Sequence, residues 1–579
     1  MMPTVILAQE RDALTRAVYA DEMRRWGNPE IGPEIIGNVR HVTARPYVAS
    51  TLASVPDEFR GHLLTEYRQQ DATEGEQAAN TWIRDSVAGL FEGETLNLSA
   101  SDEDVRNLAK TTAARVEKLL LSGVARAEIT VRAMLLNICD RLGIDYPKGK
   151  STSGMAARMT APRWWRHVLS RETLRRREEV AIRAGLVHAK AGQYLSDATF
   201  HRLNQKARRD RLFLAAYEMF NERGDVLELA EVFEAGQSNP KHRFTEMMIR
   251  TKGMETVAEE LGWAGLFITL TCPSRMHPRP DGARNRKFDG TTPRQAHDHL
   301  QTQWENVRAA LHRRGIEHMG VRVEEPHKDG APHWHMLFFV GPRDEREALA
   351  MFREYYLERF DPDEPGAKKH RIQVERIDKA KGGAPAYLAK YITKNIGGIE
   401  AGQQLDLQAE GLEPGNVLPR PAAWARAHGV RQFSFFGTVK ITLWRELRRQ
   451  REAPLEAVFL PHWQAADAGD WHAFSKAQTA APLSLWTEER PSGRYPDETV
   501  RVIRGVERGG HRLETREHTW EMRRKAGISD PWTRVNNCTR GAFEGPGNRP
   551  GGGGWGGDRH GFHPGVKSGS DHASPDLHK

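Results

Sequence analysis

The chain carries the segment GVRVEEPHKDGAPHWHMLFFV at residues 320–340, in which an Asp-Gly turn separates two apolar stretches. Two apolar stretches joined by such a turn predict a β-hairpin. Successive side chains of a strand point to opposite faces, so His333 and His335 share one face of the second strand. This spacing lets both imidazoles bind a single metal ion.

A third ligand is needed, because two neutral imidazoles do not hold a hard divalent cation alone, and a carboxylate is preferred. Glu325 ends the first strand of the hairpin and arrives beside the histidines, which makes it the first choice. His327 is the second choice, and Glu324 points to the opposite face. Mixed nitrogen and oxygen ligands indicate Mg²⁺ or Mn²⁺ as the cofactor.

Further along the chain, the segment AYLAKYITK at residues 386–394 predicts a helix that carries two phenols. Residues four apart lie on one face of a helix, so Tyr387 and Tyr391 can reach the same reaction centre. A divalent cation beside two tyrosine nucleophiles suits the cleavage and rejoining of DNA through a phosphotyrosine bond. Lys394 lies three residues after Tyr391 and is given an assisting role.

Three segments resemble, in chain order, the three motifs of the HUH endonucleases: FITLTCP at 267–273, EPHKDGAPHWH at 325–335 and YLAKY at 387–391. More narrowly, they are similar to the replication gene A proteins of tailed phages and prophages. In that comparison Glu325 matches the acidic position of the second motif. An all-histidine triad in the related relaxases keeps His327 open as the alternative ligand.

The resemblance implies a site-specific nickase and strand transferase that initiates rolling-circle replication of phage or prophage DNA. Such an enzyme forms a 5′-phosphotyrosine link and frees a 3′-OH primer. It implies single-stranded or hairpin DNA at a replication origin as the partner, together with a host helicase and polymerase. The origin sequence, the order in which the tyrosines act, the cellular metal and the oligomeric state cannot be read from the sequence.

The fold class that we expect is α+β, with an antiparallel-sheet palm of the ferredoxin-like HUH type, a large N-terminal helical region and a disordered tail. Helical periodicity dominates the first half of the chain, and strands and helices alternate after it. The predicted units are a helical region at 1–150, a basic helical region at 155–250, the HUH catalytic domain at 255–450, a poorly defined region at 451–540 and a disordered Gly-rich tail at 541–579.

Composition agrees with this interpretation without establishing it. Lys and Arg number 85 against 77 Asp and Glu, a formal charge of +8 over 579 residues, which is a modest excess. Three scattered cysteines predict no disulfide framework and a reducing compartment. No stretch is long and apolar enough to span a membrane. We therefore expect a protein of the bacterial host cytoplasm.

Basic runs between Arg163 and Arg211, such as Arg175-Arg176-Arg177, allow DNA binding, but such runs are more often solvated helix faces. Trp164, Trp165 and Phe433 lie near arginines and can stack bases, although burial in a core is the favoured interpretation.

Two rival functions remain open at this stage. A conjugative-type relaxase shares the metal and tyrosine chemistry, but it usually carries its nucleophile near the N-terminus. A non-catalytic DNA-binding protein with a structural metal site needs only the basic helices and the histidine pair. Here the tyrosines follow the histidines, which favours the replication enzyme.

Overall fold

The structure is a computed structural model and describes residues 39–526, apart from 54, 89–97, 99, 123–126, 148–150, 281, 360, 397–417, 493–494 and 496–497. The disordered tail predicted at 541–579 lies outside the described residues. Among the helices that are described, none has the length and apolar character needed to cross a membrane.

The α-helices are α1 (Arg45–Ala53), α2 (Asp57–Glu74), α3 (Glu76–Val87), α4 (Asp102–Leu121), α5 (Glu128–Leu142), α6 (Thr152–Met159), α7 (Pro162–Arg183), α8 (Asp197–Ala216), α9 (Leu229–Ala235), α10 (Pro240–Glu260), α11 (Pro293–Arg313), α12 (Glu345–Arg353), α13 (Ala367–His370), α14 (Gly383–Ile396), α15 (Arg420–His428), α16 (Ile441–Leu447), α17 (Leu460–Asp467) and α18 (Trp471–Ala480). The strands are β1 (Tyr217–Asn221), β2 (Val226–Glu228), β3 (Ala264–Thr271), β4 (His318–Pro326), β5 (Pro332–Val340), β6 (Ile372–Arg376), β7 (Phe433–Phe436), β8 (Ser484–Pro491), β9 (Thr499–Arg508), β10 (His511–Glu514) and β11 (Trp520–Arg524).

A five-stranded sheet in the order β6-β3-β5-β4-β7 forms the centre of the structure. Every neighbouring pair in it is antiparallel. The predicted hairpin is β4 and β5, and Gly330 in its turn adopts φ +86°, a conformation that glycine reaches without steric cost. The prediction of an α+β fold with an antiparallel sheet is therefore confirmed.

Alternation along β5 directs its side chains into two separate cores. Trp334, Met336 and Phe338 pack with α11 and α12 on one face of the sheet. Leu337 and Phe339 pack with α10 and α14 on the other face. Since the sheet is covered on both sides, its central strands are apolar nearly throughout, and the polar residues of β5 stand out as exceptions.

The sequence predicts a helix from Arg343 to Arg359, and the structure differs from this prediction in the last turn. It is α-helical over α12 and continues as a π-helix at Glu354–Glu358. Tyr355, Tyr356 and Leu357 are all buried, and the Tyr356 hydroxyl donates a hydrogen bond to the Leu300 carbonyl at 2.9 Å. The wider π turn accommodates three consecutive buried side chains. A regular α-helix, which the sequence predicts here, would turn one of them away from the core.

The N-terminal region is helical, as predicted, and the long helix α7 connects two cores within it. Trp165 and Leu169 near the start of α7 pack with α4 and α5. Val180 and Ile182 near its end pack with α2 and α3. The two cores are thus held at the ends of one continuous helix.

The turn of the β4–β5 hairpin is anchored by two separate parts of the chain. The Tyr194 N–H, which follows α7, donates to the Lys328 carbonyl at 3.2 Å. Trp424 of α15 donates its indole N–H to the Gly330 carbonyl at 2.9 Å. The N-terminal region and α15 therefore both hold the hairpin turn in place through hydrogen bonds to its backbone.

Two regions contain strands that the sequence did not predict. Within 155–250, β1 and β2 form a three-stranded sheet with β11, so the chain returns to this region near its described end. Within 451–540, α17 and α18 precede a second sheet in the order β10-β9-β8. Both sheets depend on pairing between distant or short segments, which periodicity alone does not reveal.

The start of α14 makes a close contact that we expect to be sensitive to substitution. Glu255 accepts a hydrogen bond from the Ala384 N–H at 2.7 Å, and Gly383 has φ +65°. A Cβ atom at Gly383 would overlap the Glu255 carboxylate. Gly262 has the same φ of +65°, but a Cβ atom there would have no neighbour within 4 Å, so Gly262 serves as a matched control.

We predict that Gly262→Ala lowers the free energy of unfolding by about 1–2 kcal/mol through backbone strain alone. Gly383→Ala should lower it further, because the added methyl group displaces Glu255 from the helix start. Urea denaturation of both variants measures the difference. Equal losses in the two variants would contradict the proposed role of the Glu255 contact.

Candidate functional site

The register of the central sheet brings Glu325, His333 and His335 together. Glu325 lies directly opposite His333 in the β4–β5 pair, and His335 lies two residues further along the same face. One ligand atom from each of the three side chains lies within 4.8 Å of the others. All three residues are largely buried, with His333 and His335 each 9% exposed and Glu325 2% exposed.

This donor set fits a divalent cation. Ligand atoms about 2.1 Å from an ion lie about 3–4 Å apart, so the observed separation closes with small side-chain rotations. Two imidazole nitrogens and one carboxylate are donors that Mg²⁺, Mn²⁺ and Zn²⁺ all accept. In the part of the chain that the structure describes, this is the group of His, Cys, Asp and Glu side chains with metal-binding spacing.

Thr269 on β3 orients His335 from the neighbouring strand. The two residues are register partners, and a hydrogen bond joins Thr269 Oγ1 and His335 Nδ1 at 3.1 Å. When the threonine oxygen accepts from Nδ1–H, the lone pair is on Nε2, where a metal ion can bind it. Thr269 and Thr271 alternate along β3 in the first motif, a pattern that predicts support of the sheet beneath the site, and for Thr269 the contact with the site is direct.

Glu324 lies on the opposite face of the sheet, as the strand alternation predicts. Its carboxylate is fully buried and hydrogen-bonded to His297 Nδ1 at 2.7 Å. Arg322, on that same face, lies 3.9 Å from the Glu324 carboxylate and has its guanidinium 3.9 Å above the Trp334 ring centroid. Glu324 therefore belongs to a buried polar network beneath the site rather than to the site itself.

His327, the alternative third ligand, lies beside the site in the hairpin turn. Its ring centroid is 4.1 Å from that of His333 and 5.0 Å from that of His277. His277 Nδ1 is 3.2 Å from the fully buried Asp329 carboxylate. The geometry groups Glu325 with the histidine pair and leaves His327 next to it, so the ranking of the two ligands stays a prediction in which Glu325 comes first.

Both tyrosines of α14 lie over the face of the sheet that carries the histidines. Tyr391 stacks on His335, with ring centroids 4.1 Å apart and an interplanar angle of 27°. Phe267 of β3 contacts both phenols, with centroids 5.3 Å from Tyr387 and 5.8 Å from Tyr391. The structure thus brings the two imidazoles, the carboxylate and the two phenols into one cluster.

The environment of Tyr391 disfavours its phenolate. Desolvation, followed by the negative charges of Glu325 and Glu375, raises the pKa of Tyr391 to about 12. Glu375 stands on β6 opposite Phe267, at the edge of the same face. A positive charge held by Glu325 and the histidines would oppose these effects, since opposite charges favour ionisation.

Lys394 lies on α14, but its side chain is outside the described residues, so its assisting role stays a prediction. Two residues that position the site were not singled out in the sequence. Phe267 connects His335 to the tyrosines, and Glu255 accepts a hydrogen bond from the Ala384 N–H at the start of α14. Phe267 was quoted within the first motif, whereas Glu255 carried no local signal, because its partner is 129 residues away.

Comparisons of the sequence with known proteins indicate a family. The profile of the bacteriophage replication gene A protein family matches residues 89–399, more than half of the chain. That range includes the hairpin, the histidine pair and both tyrosines. A search of the solved structures found no match.

Several curated proteins are similar to the chain. The replication protein of Haemophilus phage HP1 is 34% identical over 429 residues, covering 69% of this chain and 55% of that protein. The replication gene A protein of Escherichia phage 186 is 35% identical over 405 residues, covering 65% and 58%. A Salmonella typhimurium protein named "probable replication endonuclease from prophage-like region" is 34% identical over 425 residues, covering 66% and 51%.

The chain spans between 51% and 58% of the lengths of these relatives. The similarity nevertheless covers about two thirds of this chain, and the family profile covers both site elements. The chain therefore belongs to the bacteriophage replication gene A protein family.

Proposed function

We propose that the chain is a site-specific nicking and joining endonuclease that initiates rolling-circle replication of phage or prophage DNA. The observation that carries this proposal is the stacking of Tyr391 on His335, within a cluster that also contains His333 and Glu325. A nucleophile and a cation-binding donor set on one scissile phosphate are the requirements for metal-assisted transesterification. Family membership supports the same conclusion.

We also propose that the central sheet is the ferredoxin-like palm of an HUH endonuclease. His333 and His335 flank the apolar Trp334 on the central strand β5, and the tyrosine helix α14 packs across that strand's face. The order of strand, helix, hairpin, helix, strand and helix from β3 to α14 supports this assignment.

In the proposed reaction, His333, His335 and Glu325 hold a divalent cation, Mg²⁺ or Mn²⁺, which when bound stabilises charge on the non-bridging phosphate oxygens. The Tyr391 oxygen, having released its proton to solvent, attacks the phosphorus and forms a phosphotyrosine bond as the P–O3′ bond breaks. The departing 3′-oxygen takes up a proton from solvent, and the resulting 3′-OH end serves as the primer. Because the ester keeps the bond energy, rejoining needs no nucleotide triphosphate.

Tyr387 is proposed as the second nucleophile. It lies one helical turn before Tyr391 and contacts the same supporting ring, Phe267. After one round of replication it would cut the regenerated origin, and the released 3′-hydroxyl would attack the first phosphotyrosine and close the circle. The direct contact between Tyr391 and His335 favours Tyr391 for the first cut.

One experiment separates the proposal from its two alternatives, a non-catalytic DNA-binding protein and a relaxase. Supercoiled plasmid that carries the chain's own gene is incubated with the protein and Mn²⁺. A nicked plasmid with protein attached to its 5′ end supports the proposal, and intact plasmid contradicts it, as expected for a non-catalytic DNA-binding protein or for a relaxase. A relaxase would nick a transfer origin instead of this gene.

Metal binding gives the first prediction for this site. Mn²⁺ at about a hundred times its dissociation constant should raise the Tm by about 2–4 °C, and EDTA should reverse the rise. His333→Ala and His335→Ala should abolish the shift because each removes an imidazole ligand. Glu325→Gln should reduce it more than His327→Asn does, measured by thermal denaturation with and without the ion.

Matched controls for this measurement are the exposed residues His312 and Glu317, changed to Asn and Gln. They should keep the wild-type shift. A shift that survives all substitutions in the cluster would place the cation elsewhere and contradict the assignment of the three ligands.

The tyrosines give the second prediction. Tyr391→Phe should reduce the covalent protein–DNA adduct of the first cut at least a hundredfold, and Tyr387→Phe should reduce it less. The double variant should form no adduct, because both nucleophilic oxygens are gone while the rings still pack. Denaturing gels of labelled DNA measure the adduct, and mass spectrometry identifies the tyrosine that retains a nucleotide.

Tyr47→Phe, a change at an exposed tyrosine of the N-terminal region, is the control and should nick normally. Adduct formation by the Tyr387→Phe/Tyr391→Phe double variant would remove both proposed nucleophiles.

A further inference from the structure

Three exposed arginines surround the edge strand β7 at the side of the site. Arg243 lies on α10, Arg426 lies on α15, and Arg431 lies just before β7. Counting only described residues, none of the three has an Asp or Glu oxygen within 4.0 Å. The nearby carboxylate Glu246 is occupied by a two-bond pair with Arg445, at 2.9 and 2.7 Å.

The basic stretch at 163–211 differs from this cluster, because most of its cations are paired within the protein. The exposed Arg163, Arg166, Arg208 and Arg211 are exceptions, with no Asp or Glu oxygen within 4.0 Å among the described residues. Arg171 contacts Asp145 at 3.0 Å, and Arg176 contacts Glu172 at 3.1 Å. Lys206 contacts Asp210 at 2.8 Å. Much of the strongest basic signal in the sequence is therefore neutralised in the fold, whereas none of the three arginines beside β7 has a carboxylate within 4.0 Å among the described residues.

Arg243 and Arg426 repel each other. Desolvation by the surrounding protein, and then the charge of Arg243, lowers the pKa of Arg426, although its side chain reaches solvent. Desolvation and then the charge of Arg445 lower the pKa of Arg243. Crowding of like charges costs folding free energy, and a bound anion relieves that cost.

Aromatic rings lie between these arginines and the site. Phe433 is half-buried and pairs with Val323, which in turn pairs with His335, so Phe433 stands two strands, or about 10 Å, from the histidine. The ladder continues through Gln432, whose carbonyl accepts from the Glu324 N–H at 2.7 Å. By strand alternation Arg431 therefore shares the face of Phe433.

Phe435 lies two residues after Phe433 on the same face of β7, and its ring is held by a neighbouring arginine. The buried Arg250 has its guanidinium carbon 3.6 Å from the Phe435 ring centroid, a cation–π contact that fixes this ring. Phe433 has no such cation over it among the described residues. Phe433 packs half-buried against the core on this face of the sheet, and the part of its ring that reaches solvent can stack on a base.

We propose that Arg243, Arg426, Arg431 and Phe433, here called the β7 patch, bind the single-stranded DNA that flanks the scissile phosphate. The arginines contact backbone phosphates and the Phe433 ring stacks on an unpaired base. The claim that the patch lies next to the cut rests on the proposed function. The claim that the patch binds single-stranded DNA does not depend on it. The charge and the half-buried ring on one face of the sheet are the features of a single-strand groove.

The test compares two triple variants of the 579-residue chain. One is Arg243→Gln/Arg426→Gln/Arg431→Gln. The control is Arg343→Gln/Arg346→Gln/Arg353→Gln, which removes three exposed arginines on or next to α12, on the opposite face of the sheet. Both lose the same net charge. Fluorescence anisotropy of a labelled single-stranded oligonucleotide in EDTA measures binding without cleavage.

We expect the patch triple to weaken binding and to reduce the slope of log K against log salt by about 2, since each phosphate that is no longer neutralised removes about 0.7 from the slope. The control triple should keep the wild-type slope. Phe433→Leu, which keeps an apolar side chain in the sheet, should weaken binding by about five- to a hundredfold because the stacked ring is absent.

Three outcomes would overturn the inference. They are equal slopes in the patch and control triples, unchanged affinity in Phe433→Leu, and equal competition by blunt duplex DNA and by the single strand. Failure of the proposed nicking activity is read separately, because it abolishes the covalent adduct in the wild-type chain and leaves the anisotropy comparison intact. Adduct formation by the patch triple at saturating DNA supports a role in binding rather than in the chemical step.

Discussion

The register between β4 and β5 is the constraint on which the site depends. It places Glu325 opposite His333 and Val323 opposite His335, so the carboxylate and both imidazoles share one face. A shift of one residue would move Glu324 onto that face and would turn Glu325 toward α11 and α12. The register is held on both sides, because the apolar residues of β5 fill two different cores and cannot exchange faces without burying polar groups.

The sequence predicted the hairpin, the face shared by the histidines and the helix that carries the tyrosines, since each follows from a local period of two or about four residues. It did not reveal what lies over the histidines. Contact between Tyr391 and His335 depends on α14 crossing the sheet at Phe267, and the start of α14 depends on Glu255 of α10. These are contacts between distant segments, for which a single sequence carries no periodic signal.

Charge was the property that the sequence predicted least well. The Arg175-Arg176-Arg177 run is conspicuous in the sequence, yet Arg176 and Arg177 pair with Glu172 and Glu58 in the fold. Arg243 and Arg426 stand alone in the sequence but come together because α10 and α15 both border β7. A run of like charges measures local composition, whereas the field that a polyanion meets depends on which carboxylates the fold brings beside each cation.

The same carboxylate has two opposing effects within the proposed site. Glu325 supplies negative charge to a cation-binding set, and that charge also contributes to raising the pKa of Tyr391 to about 12. While Glu325 is uncompensated, the phenol stays protonated far above neutral pH and is a poor nucleophile. Once its charge is neutralised, one cause of the raised pKa is removed, and only desolvation and the more peripheral Glu375 still oppose ionisation. Under the proposed function, a filled donor set therefore favours ionisation of the nucleophile, while desolvation, the largest cause of the raised pKa, still opposes it.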